Sequence, residues 1–166
     1  GTLPAVLGYS VEDNLEPKLK WLQVRLGLDS KSLRKLVKRH PSVFGYGIHD
    51  NLEPKLAWLQ ERLSLDDKRL GFVIQRQPSL FAKNIDNNLE PTIKFYEDCI
   101  GSNAAIQLIA KDPRIIAASL EHRLKPRLVE CQEAGIPVDT GTMMRIAKCT
   151  ESSWSNSMIF QKNNKT

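Results

Sequence analysis

One basic position recurs four times along this chain and could bind a polyanion. Arg39, Arg76 and Lys111 each stand two residues before a proline, and Lys148 stands two residues before Thr150, where a proline is expected. At equivalent places on stacked helices about 10 Å apart, the four cations would span about 30 Å, close to one turn of a nucleic acid duplex (~34 Å). The spacing therefore indicates phosphate contacts along a groove. We call these four residues the cation column.

A second interpretation of the cation column needs no ligand. A Lys or Arg near a helix C-terminus stabilises the negative end of the helix dipole. Because every repeat has such a terminus, the dipole alone would also produce a column of cations. The residues by themselves leave these two explanations equal.

Other cations are less regular. Lys31, Arg34, Lys35 and Lys38 crowd one predicted helix, and the next repeat has no comparable patch. A solvated charged face explains most of this patch, but Arg34 and Lys38 stay among the candidate binding residues. A further column consists of Lys18, Lys55 and Arg127, broken by Thr92. We call it the first-turn column and expect it on the surface.

Composition is compatible with a nucleic acid partner without requiring one. The chain has 24 Lys+Arg against 19 Asp+Glu, a net charge of +5, and an ordinary hydrophobic content of 41%. No apolar run approaches the ~20 residues that would span a bilayer, so we expect no membrane partner. Cys99, Cys131 and Cys149 are widely separated, which favours free core thiols over a zinc site or a disulfide framework.

No catalytic motif is present in the sequence. It contains no GxGxxG, P-loop, HExxH or GxSxG pattern. His40, His49 and His122 occupy different places in their repeats, and the pair Asp66–Asp67 fits helix capping better than acid–base chemistry. We expect neither enzyme activity nor a cofactor or metal.

Two columns of prolines reveal the repeat that positions these residues. Pro17, Pro54, Pro91 and Pro126 are spaced by 37, 37 and 35 residues, and Pro4, Pro41, Pro78 and Pro113 by the same intervals. Residues 14–50 and 51–87 align without a gap, with 20 identities in 37. The predicted organisation is a partial unit 1–13, units 14–50, 51–87, 88–122 and 123–154, and a disordered tail 155–166.

Each unit is predicted to contain two α-helices and a short 3-10 turn. Leu15, Leu19, Leu22 and Leu26 mark one face of the first helix. Asn14, Asn51 and Asn88 are predicted N-caps, with the proline three residues later, where its missing N–H costs little. Asp29 and Asp66 are predicted to cap the second helix, which ends before the next proline.

Apolar side chains predict how the units pack. The second helices bury Leu33, Leu36 and Val37 in one unit and Leu70, Val73 and Ile74 in the next, while Trp21, Trp58 and Phe95 are assigned to the core between units. The predicted fold class is all-α: a right- or left-handed superhelical solenoid of ~35–37-residue units.

The pattern LxPxLxxLxxxLGLDxxxLxxLVxxxPxxF, at residues 15–44, resembles the repeat of the mitochondrial transcription termination factors. GLDSKSLRKLVKRHPSVF (27–44), DKRLGFVIQRQPSLF (67–81) and LIAKDPRII (108–116) carry the resemblance. The fourth unit departs from it, with Thr150 in place of proline and Arg145 at an apolar position. The chain begins within a repeat and without Met, so we expect a fragment that lacks its targeting segment.

The resemblance implies a curved array of three-helix units whose basic concave groove holds double-stranded DNA or RNA. It implies a role in mitochondrial or chloroplast transcription, as termination or expression control, and favours nucleic acid as the ligand of the cation column. It also adds Arg114 and Arg123, in the region where such proteins contact phosphates. We expect a monomer. Alternatives are an RNA-binding factor in intron processing or ribosome assembly, and a helical scaffold for a protein partner.

Overall fold

The computed structural model describes the backbone of residues 5–163 and the side chains of residues 15–158. Throughout that range the chain forms α-helices joined by 3-10 and π turns, without a strand. The predicted all-α helical-repeat class is confirmed. The chain divides into two compact units, residues 1–82 and 83–166, which we call unit 1 and unit 2.

Unit 1 contains two successive helix pairs. Its α-helices are α1 (Ala5–Arg25), α2 (Ser30–Arg39), α3 (Glu53–Arg62) and α4 (Asp67–Arg76). The connections are 3-10 turns at Pro41–Gly45 and Pro78–Ala82 and a π turn at Ile48–Leu52. Helices α2 and α4, the second helices of their pairs, contact each other, as stacking of equivalent helices predicts.

Unit 2 repeats this arrangement and ends with an additional helix. Its α-helices are α5 (Glu90–Ile100), α6 (Ser102–Lys111), α7 (Lys125–Glu133), α8 (Thr140–Lys148) and α9 (Glu151–Asn163). The connections are π turns at Ile85–Leu89 and Leu120–Leu124 and a 3-10 turn at Pro113–Ala117. Helices α6 and α8 contact each other in the same way.

The predicted inner faces form the core. Leu22 and Leu26 of α1 are buried, as are Leu33 and Leu36 of α2 and the α4 set Leu70, Val73 and Ile74, whereas Leu15, Leu19 and Val37 are half-buried. The aromatic column was assigned too deep a position, because Trp21, Trp58 and Phe95 are all half-buried. Leucine and isoleucine, rather than the indole rings, fill the innermost layer.

Aspartates cap three of the four described second helices, including the two predicted, whereas α6 begins after Gly101. Asp29 Oδ1 accepts a hydrogen bond from Ser32 N at 2.7 Å, and Asp66 Oδ1 accepts one from Arg69 N at the same distance. Asp139 caps α8 through Thr142 N, also at 2.7 Å. These caps satisfy backbone donors that have no partner within the helix, and they fix where α2, α4 and α8 begin.

The asparagine N-caps predicted for the first helices are wrong. Asn14 lies inside α1, whose helix runs through Pro17, and Asn51 and Asn88 lie inside π turns that continue into α3 and α5. Leu52 N donates to Gly47 O, and Leu89 N to Asn84 O, each at 3.0 Å across five residues. A π turn widens the helix where the proline ring would otherwise clash with the carbonyl four residues earlier.

The first-turn column is not on the surface, contrary to our expectation. Lys55 and Arg127 are only 7% and 3% exposed. Lys55 Nζ donates to Phe81 O at 2.5 Å, and Arg127 Nη1 donates to Ile146 O and Cys149 O at 3.0 and 2.9 Å. These cations satisfy backbone carbonyls in and around the segments that follow the second helices.

In the other repeats, different side chains donate hydrogen bonds to the carbonyls that follow the second helix. Lys18 Nζ donates to Phe44 O and Tyr46 O at 2.7 and 2.6 Å. In the third repeat Thr92 is too short to reach across and donates to Asn88 O in the preceding π turn. Tyr96 replaces it there, because its hydroxyl donates to Ile115 O at 3.1 Å. The column is a structural clamp.

The tail 155–166, predicted to be disordered, belongs to a helix as far as residue 163, and residues 164–166 lie outside the described part of the chain. Helix α9 extends through Asn163, and its Trp154 is buried with Nε1 donating to Glu130 Oε2 at 2.8 Å. Arg145, the cation at an otherwise apolar position of the repeat, donates to Ser157 Oγ. Thr150 replaces the usual proline, and the segment after it is an α-helix that packs against the rest of unit 2.

Candidate nucleic-acid interface

Unit 1 brings two members of the cation column into one groove. Arg39 at the end of α2 and Arg76 at the end of α4 line a cavity of about 340 Å³ together with Lys35, Lys38 and Phe72. All four cations are exposed. We call this cavity the Arg39–Arg76 groove. Its four positive side chains would attract an anion.

Local contacts hold the two arginines of this groove. Arg39 Nη1 donates to Gln75 O at 3.1 Å, near the C-terminus of α4. The Arg76 guanidinium lies 5.5 Å from the centroid of the Phe72 ring, a cation–π contact. Arg39 therefore interacts with a helix C-terminus, as the dipole interpretation requires, while its exposed guanidinium keeps other donors for a ligand.

Unit 2 contains a second basic cluster arranged around one carboxylate. Arg114 donates to Asp112 through Nε and Nη2, each at 2.7 Å, and Lys148 Nζ donates to Asp112 Oδ2 at 2.7 Å. Arg123 Nη1 donates to Ala147 O, next to Lys148, at 3.3 Å. Lys111 precedes Asp112 and is exposed. Arg114 and Lys148 thus share the Asp112 carboxylate, which neutralises part of their charge. Arg123 is linked to them through Ala147, the residue before Lys148, and Lys111 through its place before Asp112 in the sequence. We call these four candidate residues the cluster of unit 2.

The two cations hold Asp112 in its ionised form. Its side chain is only 11% exposed, and those of Arg114 and Lys148 are 47% and 40% exposed. The Arg114 guanidinium, then the Lys148 ammonium, keeps the pKa of the Asp112 carboxyl well below its ordinary value against the opposing effect of burial. Asp112 carries a full negative charge at neutral pH.

The sequence matches a known protein family over most of its length. A family model described as mTERF matches residues 2–140. The chain belongs to the mTERF family. The match ends at the first residue of α8, so three members of the cation column lie within it and Lys148 lies beyond it. A comparison with curated proteins gives no significant match.

Arg34 takes a different place in this mTERF chain from that of Arg39 and Arg76. It lines a neighbouring groove with Lys20, Phe44 and Lys38. Lys38 borders both this groove and the Arg39–Arg76 groove. Of the eight predicted binding residues, three meet in the Arg39–Arg76 groove and four lie in the cluster of unit 2, while Arg34 stands beside the first group.

Sequence reasoning missed three contributors to these clusters. Asp112 was not among the predicted residues, although a carboxylate between Lys111 and Pro113 in a basic region could have suggested a buried counter-ion. Phe72 stands where the preceding repeat has Lys35, and that substitution alone did not reveal that its ring contacts Arg76. Lys35 was assigned to a solvated face, yet it lines the same groove.

The described part of this mTERF chain contains neither a candidate metal site nor a candidate membrane-spanning helix. No cluster of three or more His, Cys, Asp or Glu side chains could hold a metal ion there. His40 stacks on Tyr46 and Phe81, with centroids 6.4 and 6.5 Å apart, and burial lowers its pKa. Within residues 5–163, none of the helices combines the length and apolar character needed to cross a bilayer.

Proposed function

We propose that this protein binds double-stranded nucleic acid without chemistry of its own and regulates transcription in a mitochondrion or chloroplast, by termination or expression control. Membership of the mTERF family supports nucleic acid as the ligand class. The observation that carries the proposal is the Arg39–Arg76 groove, where four exposed cations from α2 and α4 face one cavity. The basic cluster of unit 2 supplies the second set of contacts.

Phosphate neutralisation would provide most of the affinity. Each phosphate paired with Lys or Arg releases condensed counterions, so the logarithm of the binding constant falls with the logarithm of salt by about 0.9 per contact. Arginine suits this role because its planar fork can donate two hydrogen bonds to one phosphate. The Gln75 carbonyl orients Arg39 for such a contact before the ligand arrives.

Removing one groove cation is expected to weaken duplex binding about 5-fold at low salt and to reduce the salt slope by about 1. Arg39→Gln and Arg76→Gln are the test variants, measured by fluorescence anisotropy on duplex DNA, duplex RNA and single strands at several salt concentrations. Lys94→Gln is the matched control, because Lys94 is exposed and lies outside both clusters.

The outcomes separate the candidate functions. Preference for duplex DNA supports the transcriptional role, and preference for RNA supports intron processing or ribosome assembly. Absence of binding to every nucleic acid at low salt would overturn the proposal and favour a protein-binding scaffold. If both arginine variants bind as Lys94→Gln does, the Arg39–Arg76 groove is not the contact surface.

Asp112→Asn is expected to lower stability while raising duplex affinity. The depressed pKa of Asp112 means that its stabilising contribution is fully present above about pH 4 and is lost as pH falls further. At pH 7 the variant should lose about 1–2 kcal/mol, a modest figure because Arg114 and Lys148 are partly exposed to solvent. The stability difference from the wild type should shrink below pH 4.

Duplex affinity is the second property of Asp112→Asn to be measured. Without the carboxylate, Arg114 and Lys148 gain net positive charge toward a phosphate, so we expect duplex affinity to rise about 3-fold at low salt. Urea unfolding across pH and anisotropy at pH 7 measure the two effects. A fall in duplex affinity would show that Asp112 favours binding by positioning Arg114 and Lys148 more than it opposes binding by neutralising their charge.

A further inference from the structure

Two large apolar side chains of unit 1 are exposed side by side. Val24 is 77% exposed and Phe72 is 41% exposed. Both line an open groove of about 780 Å³ between the C-terminus of α1 and helix α4, with Lys68 and Gln75. Phe72 and Gln75 also line the Arg39–Arg76 groove. An apolar cavity and a basic cavity thus adjoin, with Phe72 as their common wall.

The other repeats show that the fold does not require these two residues. The position of Val24 is occupied by carboxylates in the later repeats: Glu61, Asp98 and Glu133. The position of Phe72 is occupied by Lys35, Gln107 and Met144. The pair is apolar and exposed, whereas the other repeats have mostly polar side chains at these two positions. Such an exposed apolar pair is typical of an interaction surface.

The charges around this pair indicate the chemistry of a partner. Lys35, Lys38, Arg39 and Arg76 border the basic cavity, and the exposed Lys68 borders the apolar one. The carboxylate that borders the apolar cavity, Asp67, already faces Arg25 at 3.5 Å. We propose that this surface docks an acidic peptide segment of a partner protein. A large apolar side chain of the segment would lie between Val24 and Phe72, with its carboxylates on Arg39, Arg76 and Lys35.

A peptide fits this surface better than a nucleobase does. Val24 is aliphatic and offers no face for base stacking, and the Arg76 guanidinium already occupies one side of the Phe72 ring. Asp67 at the apolar end would repel any anion there, and the proposed segment places an uncharged side chain at that end and its carboxylates at the basic end. Because the segment uses the Arg39–Arg76 groove, it would compete with a duplex bound there. The peptide proposal itself does not depend on nucleic acid binding.

Selection of peptides on the purified protein tests this proposal. A phage-displayed library of random 12-residue peptides is panned on the wild type and, in parallel, on the Val24→Gln/Phe72→Gln variant. The variant keeps the net charge, and both replaced side chains are exposed, so circular dichroism should show an unchanged fold. We expect the wild type to enrich peptides that combine Phe, Trp or Leu with two or more carboxylates.

A synthetic peptide from that selection then gives the affinity by anisotropy, without nucleic acid present. We expect binding to weaken at least 10-fold in Val24→Gln/Phe72→Gln and in Arg76→Gln, and a 20-base-pair duplex to displace the peptide. Equal enrichment on wild type and variant, or selected peptides without carboxylates, would overturn the proposal. A tenfold loss of duplex binding in Val24→Gln/Phe72→Gln, with no peptide selected, would assign the surface to nucleic acid instead.

Discussion

Gly71→Ala is expected to lower the free energy of unfolding by about 2–3 kcal/mol. A Cβ at Gly71 would lie 2.2 Å from the carbonyl oxygen of Leu26, where α4 crosses the end of α1. The obstacle is backbone and cannot rotate away, so helix α4 must shift. Alanine gains about 1 kcal/mol in helix propensity over glycine, and this gain is too small to offset the clash.

The same substitution should also reduce duplex affinity without removing a charge. Helix α4 carries Arg76 and Phe72, so a displacement from α1 changes the Arg39–Arg76 groove. Urea unfolding followed by circular dichroism and anisotropy with duplex DNA measure the two consequences. Gly45→Ala is the control, because a Cβ there meets no atom within 4 Å and should change stability by less than about 0.5 kcal/mol. Equal stability of the two variants would refute the close contact.

Arg127→Met is expected to destabilise unit 2 by about 3 kcal/mol. The substitution leaves the carbonyls of Ile146 and Cys149 without their donor. It also removes the bond from Nη2 to Glu151 at 2.8 Å and the contact of the guanidinium, 4.9 Å from the Trp154 ring centroid. Helix α9 should therefore detach more readily. We expect a lower urea midpoint, a red-shifted Trp154 fluorescence and faster proteolysis within α9.

Two controls separate the buried clamp from a general charge effect. Arg127→Lys should retain much of the stability, because Lys55 performs the equivalent role in the second repeat with one bond to a carbonyl. Lys125→Met removes an exposed cation whose partner Glu121 lies four residues earlier, and it should cost less than about 0.5 kcal/mol. If Arg127→Met proves as mild as Lys125→Met, the clamp contributes little to stability.

Local features of the fold were predicted correctly because they depend on residues a few positions apart. The leucines of α1 and α2 face inward at helical spacing, and Asp29 and Asp66 accept from backbone donors three residues ahead. The starts of the first helices were mispredicted for a related reason. An asparagine before a first-turn proline fits an N-cap and a π turn equally well, and only the bond from Leu52 N to Gly47 O distinguishes them.

At the candidate interface, too, the sequence predicted the features that depend on near neighbours and not those that depend on distant contacts. The repeat places a cation at the end of each second helix, so Arg39, Arg76, Lys111 and Lys148 could be named in advance. Their role in binding stays a prediction. The grouping of Arg39 with Arg76, and the neutralisation of Lys148 by Asp112 36 residues away, depend on which helices pack together. The basic surroundings of Asp112 in the sequence could suggest a counter-ion, but they do not show that Lys148 is one of its partners.

The sequence by itself determined a chain of repeated helix pairs with a cation at each second-helix terminus. Helical periodicity and caps act between near neighbours, and the proline spacing recurs along the chain, so all three can be recognised from the order of residues. Tertiary structure alone decided that Lys55 and Arg127 are buried clamps, that Asp112 offsets two candidate cations, and that Val24 and Phe72 meet at one groove. Those outcomes depend on burial and on partners 19 to 48 residues apart, and no local pattern encodes them.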